Sequence, residues 1–148
     1  DAVSGADPQA VIAAAHEWLG TPYHDQASLR GVGTDCLGLA RGIWRDVVGP
    51  EPTEIPPYSR DWGEVGDREV MADTALEWMP SVPLSEIAPG DLVLFRMRRG
   101  AIAKHCGIRI SEDRVIHAYD RLGVVVDHLH AGWARRIAYA FRYPKEAP

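Results

Sequence analysis

The apolar positions of the chain repeat with a helical period in its first half and with a period of two in its second half. In the first half, one-sided stripes of apolar residues predict three helices. They run from Asp7-Pro8 to Gly20, from about Cys36 to Val48, and from about Asp67 to Met79. Segments rich in glycine, proline and polar residues at 25–33 and 50–66 predict irregular loops between them.

After Pro89-Gly90, the alternation of apolar and polar residues predicts strands. The five predicted strands cover residues 92–97, 105–110, 115–119, 124–129 and 137–143. Helices followed by a meander of strands are typical of an α+β fold. Because the chain has 148 residues, we expect a single domain over residues 1–148.

Charge and composition argue against several classes of function. The formal net charge of −5 argues against a general affinity for nucleic acid or anionic membrane surfaces. No apolar run approaches the roughly 18 residues that a membrane-spanning helix needs. Residues 1–10 lack the basic start and apolar stretch of a signal peptide, although the chain does not begin with Met. We therefore expect synthesis in the cytoplasm without a visible signal peptide.

The two cysteines of the chain stand in different contexts. Cys36 begins a predicted helix directly after Asp35, where free backbone N–H groups and the helix dipole favour the reactive thiolate. This local pattern fits a nucleophile and a core thiol equally well. Cys106 is predicted to point from its strand into the core as a structural residue. A disulfide between the two would block a nucleophile at Cys36 and is not expected.

A thiol nucleophile needs a base, and His105 and His117 are the candidates. Side chains alternate between the two faces of a strand, so an odd-numbered turn would place both histidines on one face, directly opposed or diagonal. His105 could then act on Cys36 while His117 orients its ring. The small Gly107 would leave room for a helix end to approach. The alternative is a pair of solvated strand histidines.

The remaining histidines favour ordinary surface roles. They are His16, His24, His128 and His130. Zinc sites usually show close-spaced ligand pairs. His128 and His130 could share a metal from one strand face, but no second pair is evident in the sequence. We therefore do not expect a metal site.

Five short motifs together resemble the NlpC/p60 cysteine peptidases, which cleave the peptide stems of bacterial cell walls. They are residues 19–23 (Leu-Gly-Thr-Pro-Tyr), 34–39 (Thr-Asp-Cys-Leu-Gly-Leu), 88–95 (Ala-Pro-Gly-Asp-Leu-Val-Leu-Phe), 105–108 (His-Cys-Gly-Ile) and 115–118 (Val-Ile-His-Ala). Each motif is weak alone, but their order and spread over most of the chain make the set specific. Leu37 stands where the family usually has serine, and Thr34 replaces a common aromatic residue, which puts bond specificity in doubt.

The resemblance implies a papain-like α+β fold, in which N-terminal helices pack on a five- to six-stranded antiparallel sheet. It implies catalysis by Cys36, His105 and His117, with Tyr23 at the position of the family's active-site tyrosine. The substrate would be a peptidoglycan stem peptide, cut at the bond between γ-D-glutamate and diaminopimelate. No metal or organic cofactor takes part in this chemistry.

Other features are most similar to the subgroup of this family that phages and gene transfer agents encode. They are residues 26–28 (Gln-Ala-Ser), 58–62 (Tyr-Ser-Arg-Asp-Trp) and 133–136 (Trp-Ala-Arg-Arg). This resemblance implies a place in a virion or gene-transfer-agent tail, with tail hub or tail-tip proteins as partners and action in the periplasm of a recipient cell. Two alternatives stay open: a structural tail component with little activity, and an amidase or acyltransferase on the same fold.

Overall fold

A computed structural model describes residues 4–56 and 68–148 of the chain. Its four helices are α1 (Pro8–Glu17), α2 (Cys36–Val47), α3 (Val70–Trp78) and α4 (Ala131–Ala134). The Asp7 carboxylate caps α1 by accepting a hydrogen bond from the Gln9 N–H. Within the described residues, no helix is long and apolar enough to cross a membrane.

The strands form two antiparallel sheets. The first is a ribbon of β1 (Ser28–Leu29) and β2 (Gly33–Thr34). The second contains β3 (Leu92–Arg96), β4 (Ala103–Arg109), β5 (Arg114–Tyr119), β6 (Gly123–His128) and β7 (Ile137–Phe141). Its spatial order is β6-β5-β4-β3-β7, so β7 returns across the sheet to pair with β3. The predicted α+β class and the antiparallel sheet are confirmed.

The predicted element boundaries were wrong in places. Residues 25–33 contain strand β1 and the start of β2, because main-chain pairing there does not need a run of apolar side chains. β4 begins at Ala103 rather than at His105. The third helix begins at Val70. Its predicted start at Asp67, and residues 57–66 of the predicted loop, lie outside the described residues.

The large sheet has a different core on each face. Helix α2 packs on one face, where its residues Leu39, Ile43 and Trp44 join the main core. Alternate residues of the strands point there, including Cys106 of β4. The opposite face carries a smaller cluster around Val93 and Phe95. Side chains of the two faces are therefore separated by the sheet itself.

Two irregularities in β4 break that separation near His105. β4 pairs with β5 only at Ile108–Ile116 and Arg109–Val115, so the strands have no ladder beside His105. The register between β3 and β4 also shifts, because Lys104 is an extra residue between Ala103 and His105. Ala103 consequently belongs to the main core, whereas His105 lies on the other face. The sheet is thus open beside His105.

Candidate active site

Cys36 is the first residue of α2 and is held there by Asp35. The buried Asp35 carboxylate accepts hydrogen bonds from the backbone N–H groups of Gly38 and Gln26, both at 2.7 Å. A Cβ atom on Gly38 would overlap the carbonyl oxygen of Ala27, so only glycine fits at that position. The helix start, and with it the Cys36 thiol, is therefore fixed against the preceding segment.

His105 and His117 form a direct hydrogen-bonded pair. The distance from His105 Nε2 to His117 Nδ1 is 2.7 Å. Five residues separate Arg109 from Val115, the last residues that pair between β4 and β5. The turn is therefore odd-numbered, and the two histidines share a face as expected for such a turn. The prediction for Gly107 was wrong: a Cβ atom there would clash with His117 Cβ at 2.9 Å. The missing side chain makes room for His117 rather than for a helix end.

Asp127 extends this pair on the side away from His105. Its Oδ2 lies 3.1 Å from His117 Nε2. An ionised carboxylate can only accept, so His117 Nε2 carries the proton and His117 Nδ1 accepts from His105 Nε2–H. The free ring nitrogen of His105 is then Nδ1. Sequence analysis missed Asp127, because the β5–β6 register that brings it close to His117 depends on the turn between the strands.

His117 is fully buried, and its environment keeps it neutral. Burial, followed by the nearby charge of His105, lowers the pKa of His117 to about 4, against the opposing effect of Asp127. A neutral imidazole can donate from one nitrogen and accept at the other. His117 is therefore suited to orient His105.

The Cys36 thiol lies beside the irregular part of β4. Its Sγ lies 3.9 Å from the carbonyl oxygen of Lys104, the extra residue of the strand. A hydrogen bond from the Cys106 thiol, followed by the hydrogen bond and charge of His105, lowers the pKa of Cys36 well below its usual value, although burial acts in the opposite direction. Cys36 is thus electrostatically coupled to His105, and hydrogen bonds continue from His105 through His117 to Asp127.

Cys106 is buried in the main core, as its position on β4 predicts. Its Sγ donates to the Cys36 carbonyl oxygen at 3.3 Å. The hydrogen bond to the Cys36 thiol, together with burial, raises the pKa of Cys106 well above its usual value. Both thiols are free. Cys106 therefore lies in the core as predicted, and its thiol also contacts the residue that carries the candidate nucleophile.

Replacing Cys106 with valine should raise the pKa of Cys36, because it removes the thiol donor that stabilises the thiolate. We expect the rate of iodoacetamide alkylation of Cys36 to fall about tenfold at neutral pH. The midpoint of the alkylation rate against pH should move upward. Mass spectrometry of the alkylated peptide measures both effects.

The matched control for this measurement is Cys106→Ser, whose hydroxyl can still donate. Its alkylation midpoint should stay closer to that of the wild type than the midpoint of Cys106→Val does. An unchanged midpoint in Cys106→Val would contradict the role of Cys106.

Aromatic rings surround the two histidines on the side away from α2. The ring centroid of Trp133 lies 6.0 Å from that of His105 and 5.5 Å from that of His117. Tyr119 and Phe95 contact His105 as well, each with ring centroids 5.8 Å away. Apolar surroundings exclude water and strengthen electrostatic interactions. The sequence contained no periodic signal for Trp133, since it lies in the four-residue helix α4.

Tyr23 lies beside the start of α2. It forms an isolated bridge with Thr34, two residues before Cys36, and packs partly buried against the main core. The structure thus brings the tyrosine segment and the cysteine segment of the chain together. This placement is compatible with the expected role of Tyr23 near Cys36.

The other histidines make local contacts instead. His16 contacts the carbonyl oxygen of Ile12, and His24 contacts that of Asp25. His130 caps α4 by accepting from the Gly132 N–H at 3.0 Å. Within residues 4–56 and 68–148, no group of three or more His, Cys, Asp or Glu side chains is arranged to hold a metal ion.

Comparison with known proteins identifies the family. The sequence profile of the NlpC/P60 family matches residues 18–142, which include every element of this site. The chain belongs to the NlpC/P60 family. A probable endopeptidase from Haemophilus influenzae is 31% identical over 116 residues, 78% of this chain and 61% of that protein. The murein DD-endopeptidase MepS/murein LD-carboxypeptidase of Escherichia coli K12 is 29% identical over 127 residues, 85% of this chain and 57% of that protein.

Solved structures show the same NlpC/P60 fold. The NlpC/p60 domain of the peptidoglycan hydrolase SagA superimposes with a TM-score of 0.61 at 22% identity, covering 91% of this chain and 97% of that one. An NlpC/P60 family protein from Bacillus cereus gives a TM-score of 0.64 at 20% identity, covering 95% of this chain and 41% of that one. Both likenesses concern the fold alone.

Proposed function

We propose that this NlpC/P60 domain is a cysteine endopeptidase that hydrolyses peptidoglycan stem peptides. The observation that carries the proposal is the connected chain from the Cys36 thiol through His105 and His117 to Asp127. It supplies a thiol with a lowered pKa, an adjacent base and a group that orients the base, which is the arrangement that nucleophilic catalysis requires.

In the proposed first step, the Cys36 thiolate attacks the carbonyl carbon of the scissile peptide bond. The His105 Nδ1–H that faces the thiolate then donates its proton to the leaving amine. The backbone N–H of Cys36 lies at the start of α2, where helix N–H groups have no partner within the helix. It is the candidate donor to the oxyanion, and Tyr23 can add a hydroxyl contact.

In the second step, His105 removes a proton from water, which attacks the thioester carbonyl. The carboxylate product leaves, and Cys36 returns to the thiolate with His105 protonated. His117 stays neutral in both steps, which its pKa of about 4 permits at neutral pH. Its task is to hold His105 in the tautomer that keeps Nδ1 toward the thiol.

The substrate assignment is supported by the names of similar proteins, which are called endopeptidase and murein endopeptidase. The chain spans 57–61% of the length of these relatives, so their activities as whole proteins are transferred only as a proposal. For the cleaved bond we propose the γ-D-glutamyl-diaminopimelate linkage, on the family resemblance of the motifs.

We also propose a location in a phage-like or gene-transfer-agent tail, with tail hub or tail-tip partners and action in the recipient's periplasm. Its support is the sequence resemblance at residues 26–28, 58–62 and 133–136. Residues 58–62 lie outside the described part of the chain. Co-purification with tail structures, followed by mass spectrometry, tests this location directly.

The first experiment incubates purified muropeptides with the wild type and with Cys36→Ala, and identifies the products by mass spectrometry. Release of a fragment that begins with diaminopimelate, by the wild type alone, supports the proposed reaction and bond. Release of free diaminopimelate-containing fragments by both proteins points to a contaminating activity. Cleavage at an amide outside the peptide stem would reassign the enzyme as an amidase.

Replacing Asp127 with asparagine should reduce kcat about tenfold, because the His117 tautomer is no longer fixed by a carboxylate. The ¹⁵N chemical shifts of the His117 ring should report a mixture of tautomers. Asp127→Glu should recover most of the activity.

The matched control is Asp113→Asn, since Asp113 contacts the exposed His128 on the same sheet. It should leave kcat and the His117 shifts unchanged. Wild-type kcat and a single His117 tautomer in Asp127→Asn would contradict the orienting role.

A further inference from the structure

A basic depression, here called the arginine basin, lies outside the chain of side chains from Cys36 to Asp127. It has a volume of about 540 Å³. Five arginines and two glycines line it. They are Arg96, Arg98, Arg99, Gly100, Gly132, Arg135 and Arg136. This local concentration of positive charge runs against the net charge of −5 of the chain. On an ordinary solvated surface of an acidic protein, positively and negatively charged side chains would be mixed.

The fold builds the basin from two segments distant in sequence. The end of β3 and the segment after α4 are joined by a backbone hydrogen bond from the Arg96 N–H to the Arg136 carbonyl oxygen, at 2.8 Å. Arg96 is also fixed by a 2.6 Å ion pair with Glu69 and by the Ala101 carbonyl oxygen. The Arg96 side chain is therefore held in place by these contacts and mainly shapes the basin.

The other four arginines are exposed and retain their charge for a ligand. They are Arg98, Arg99, Arg135 and Arg136. Within residues 4–56 and 68–148, none of the four makes an ion pair with a carboxylate. A guanidinium offers paired donors that match the two oxygens of a carboxylate or phosphate. Four of them around one depression are suited to more than one anionic group.

The basin borders the candidate active site through Trp133. The guanidinium carbon of Arg136 lies 5.8 Å from the Trp133 ring centre. The same ring lies 6.0 Å from the His105 ring. One indole thus separates the arginines from the candidate base. The Arg136 guanidinium and the His105 ring are therefore at most about 12 Å apart, a distance that an extended peptide spans in about four residues at roughly 3.3 Å per residue.

We propose that the arginine basin binds free carboxylates of the same peptide whose scissile bond lies at Cys36, an inference that rests on the proposed function. A γ-linked glutamyl residue keeps its α-carboxylate free, and diaminopimelate carries a second carboxyl group outside the peptide chain. The substrate therefore has negative charge on both sides of the bond. The basin selects peptides that carry these carboxylates over peptides in which they are amidated.

The test compares the wild type with Arg98→Gln/Arg99→Gln, two changes in an exposed turn. The substrates are a γ-D-glutamyl-diaminopimelate peptide and its carboxamide analogue. For the acidic peptide, we expect KM to rise at least about tenfold in the variant, with kcat unchanged. For the amidated peptide, the KM values of the two proteins should agree.

The matched control is Arg114→Gln/Lys145→Gln, which removes the same charge from exposed positions at the opposite end of the sheet. It should keep the wild-type KM, and thermal unfolding should confirm that all variants are folded. An unchanged KM in the basin variant, or an equal rise in both variants, would overturn the proposal. Tight binding of inorganic phosphate by the basin, with an unchanged peptide KM, would overturn it in favour of a phosphate site.

Equilibrium binding to Cys36→Ala, with and without the basin changes, separates this inference from the proposed reaction. Carboxylate-dependent binding that the basin changes weaken about tenfold supports the basin even if the wild type cleaves nothing. In that case the proposed peptidase activity is contradicted, whereas the binding role of the basin is supported. If the wild type cleaves the peptide and the basin changes have no effect, the proposed activity is supported and the proposed role of the basin is wrong.

Discussion

Replacing Cys36 with alanine should abolish hydrolysis of the stem peptide, with kcat/KM reduced by at least about a thousandfold. The variant has no group at the start of α2 that can attack a carbonyl carbon. Water positioned by His105 cannot replace a thiolate held in place by a folded helix. Release of product, followed by liquid chromatography and mass spectrometry, measures the loss.

The fold should tolerate this change. The Cys36 side chain is only partly buried, and the hydrogen bond from Cys106 to its carbonyl oxygen does not need the thiol. We therefore expect a change in unfolding free energy of about 1 kcal/mol or less. Substantial hydrolysis by a folded Cys36→Ala protein would rule out Cys36 as the nucleophile.

Replacing His105 with glutamine should reduce kcat by about 10²–10⁴-fold. The amide has no titratable proton, so it can neither stabilise the thiolate by charge nor protonate the leaving amine. The positive charge and hydrogen bond of His105 lower the pKa of Cys36, so the pKa of the thiol should rise in the variant. The pH dependence of Cys36 alkylation, measured beside kcat, tests both effects in one protein.

His128→Gln is the control for this change, since it removes an exposed histidine from the same sheet. Its kcat and its alkylation profile should match those of the wild type. If His105→Gln loses activity while the alkylation profile stays in place, His105 acts on the leaving group alone. If both quantities are unchanged, another residue is the base.

The helical and strand periods were sufficient to predict most of the fold. The stripe of α2 and the alternation in β3 to β7 follow from side chains that must face an apolar core, so they are visible without a structure. Asp7 was predictable as the cap of α1 because a cap depends on neighbouring residues; for α2 the sequence left Thr34 and Asp35 open, and the structure has Asp35. The β1–β2 ribbon was missed because its pairing is made by the backbone of a polar segment.

Part of the candidate site was also predictable. The position of Cys36 at a helix start is a local property. Strand alternation places His105 and His117 on a common face only if the turn between their strands is odd-numbered, and the five-residue turn is known only from the structure. The contact between Cys106 and Cys36 was not predictable. The sequence correctly places Cys106 in the core, but it does not show that Cys36 lies next to it there.

The sequence by itself determined the class of fold, the start of α2 at Cys36 and the family motifs, because each depends on neighbours along the chain. Only the tertiary structure decided that the two histidines share a face, where the thiol lies along β4, which carboxylate orients His117 and what lies beside the site. The extra residue Lys104 and the short β4–β5 ladder open the sheet. The β5–β6 register brings Asp127 to His117. The return of β7 to β3 joins the arginines of two distant segments. These contacts are long-range, so they depend on pairing registers that no local pattern of residues specifies.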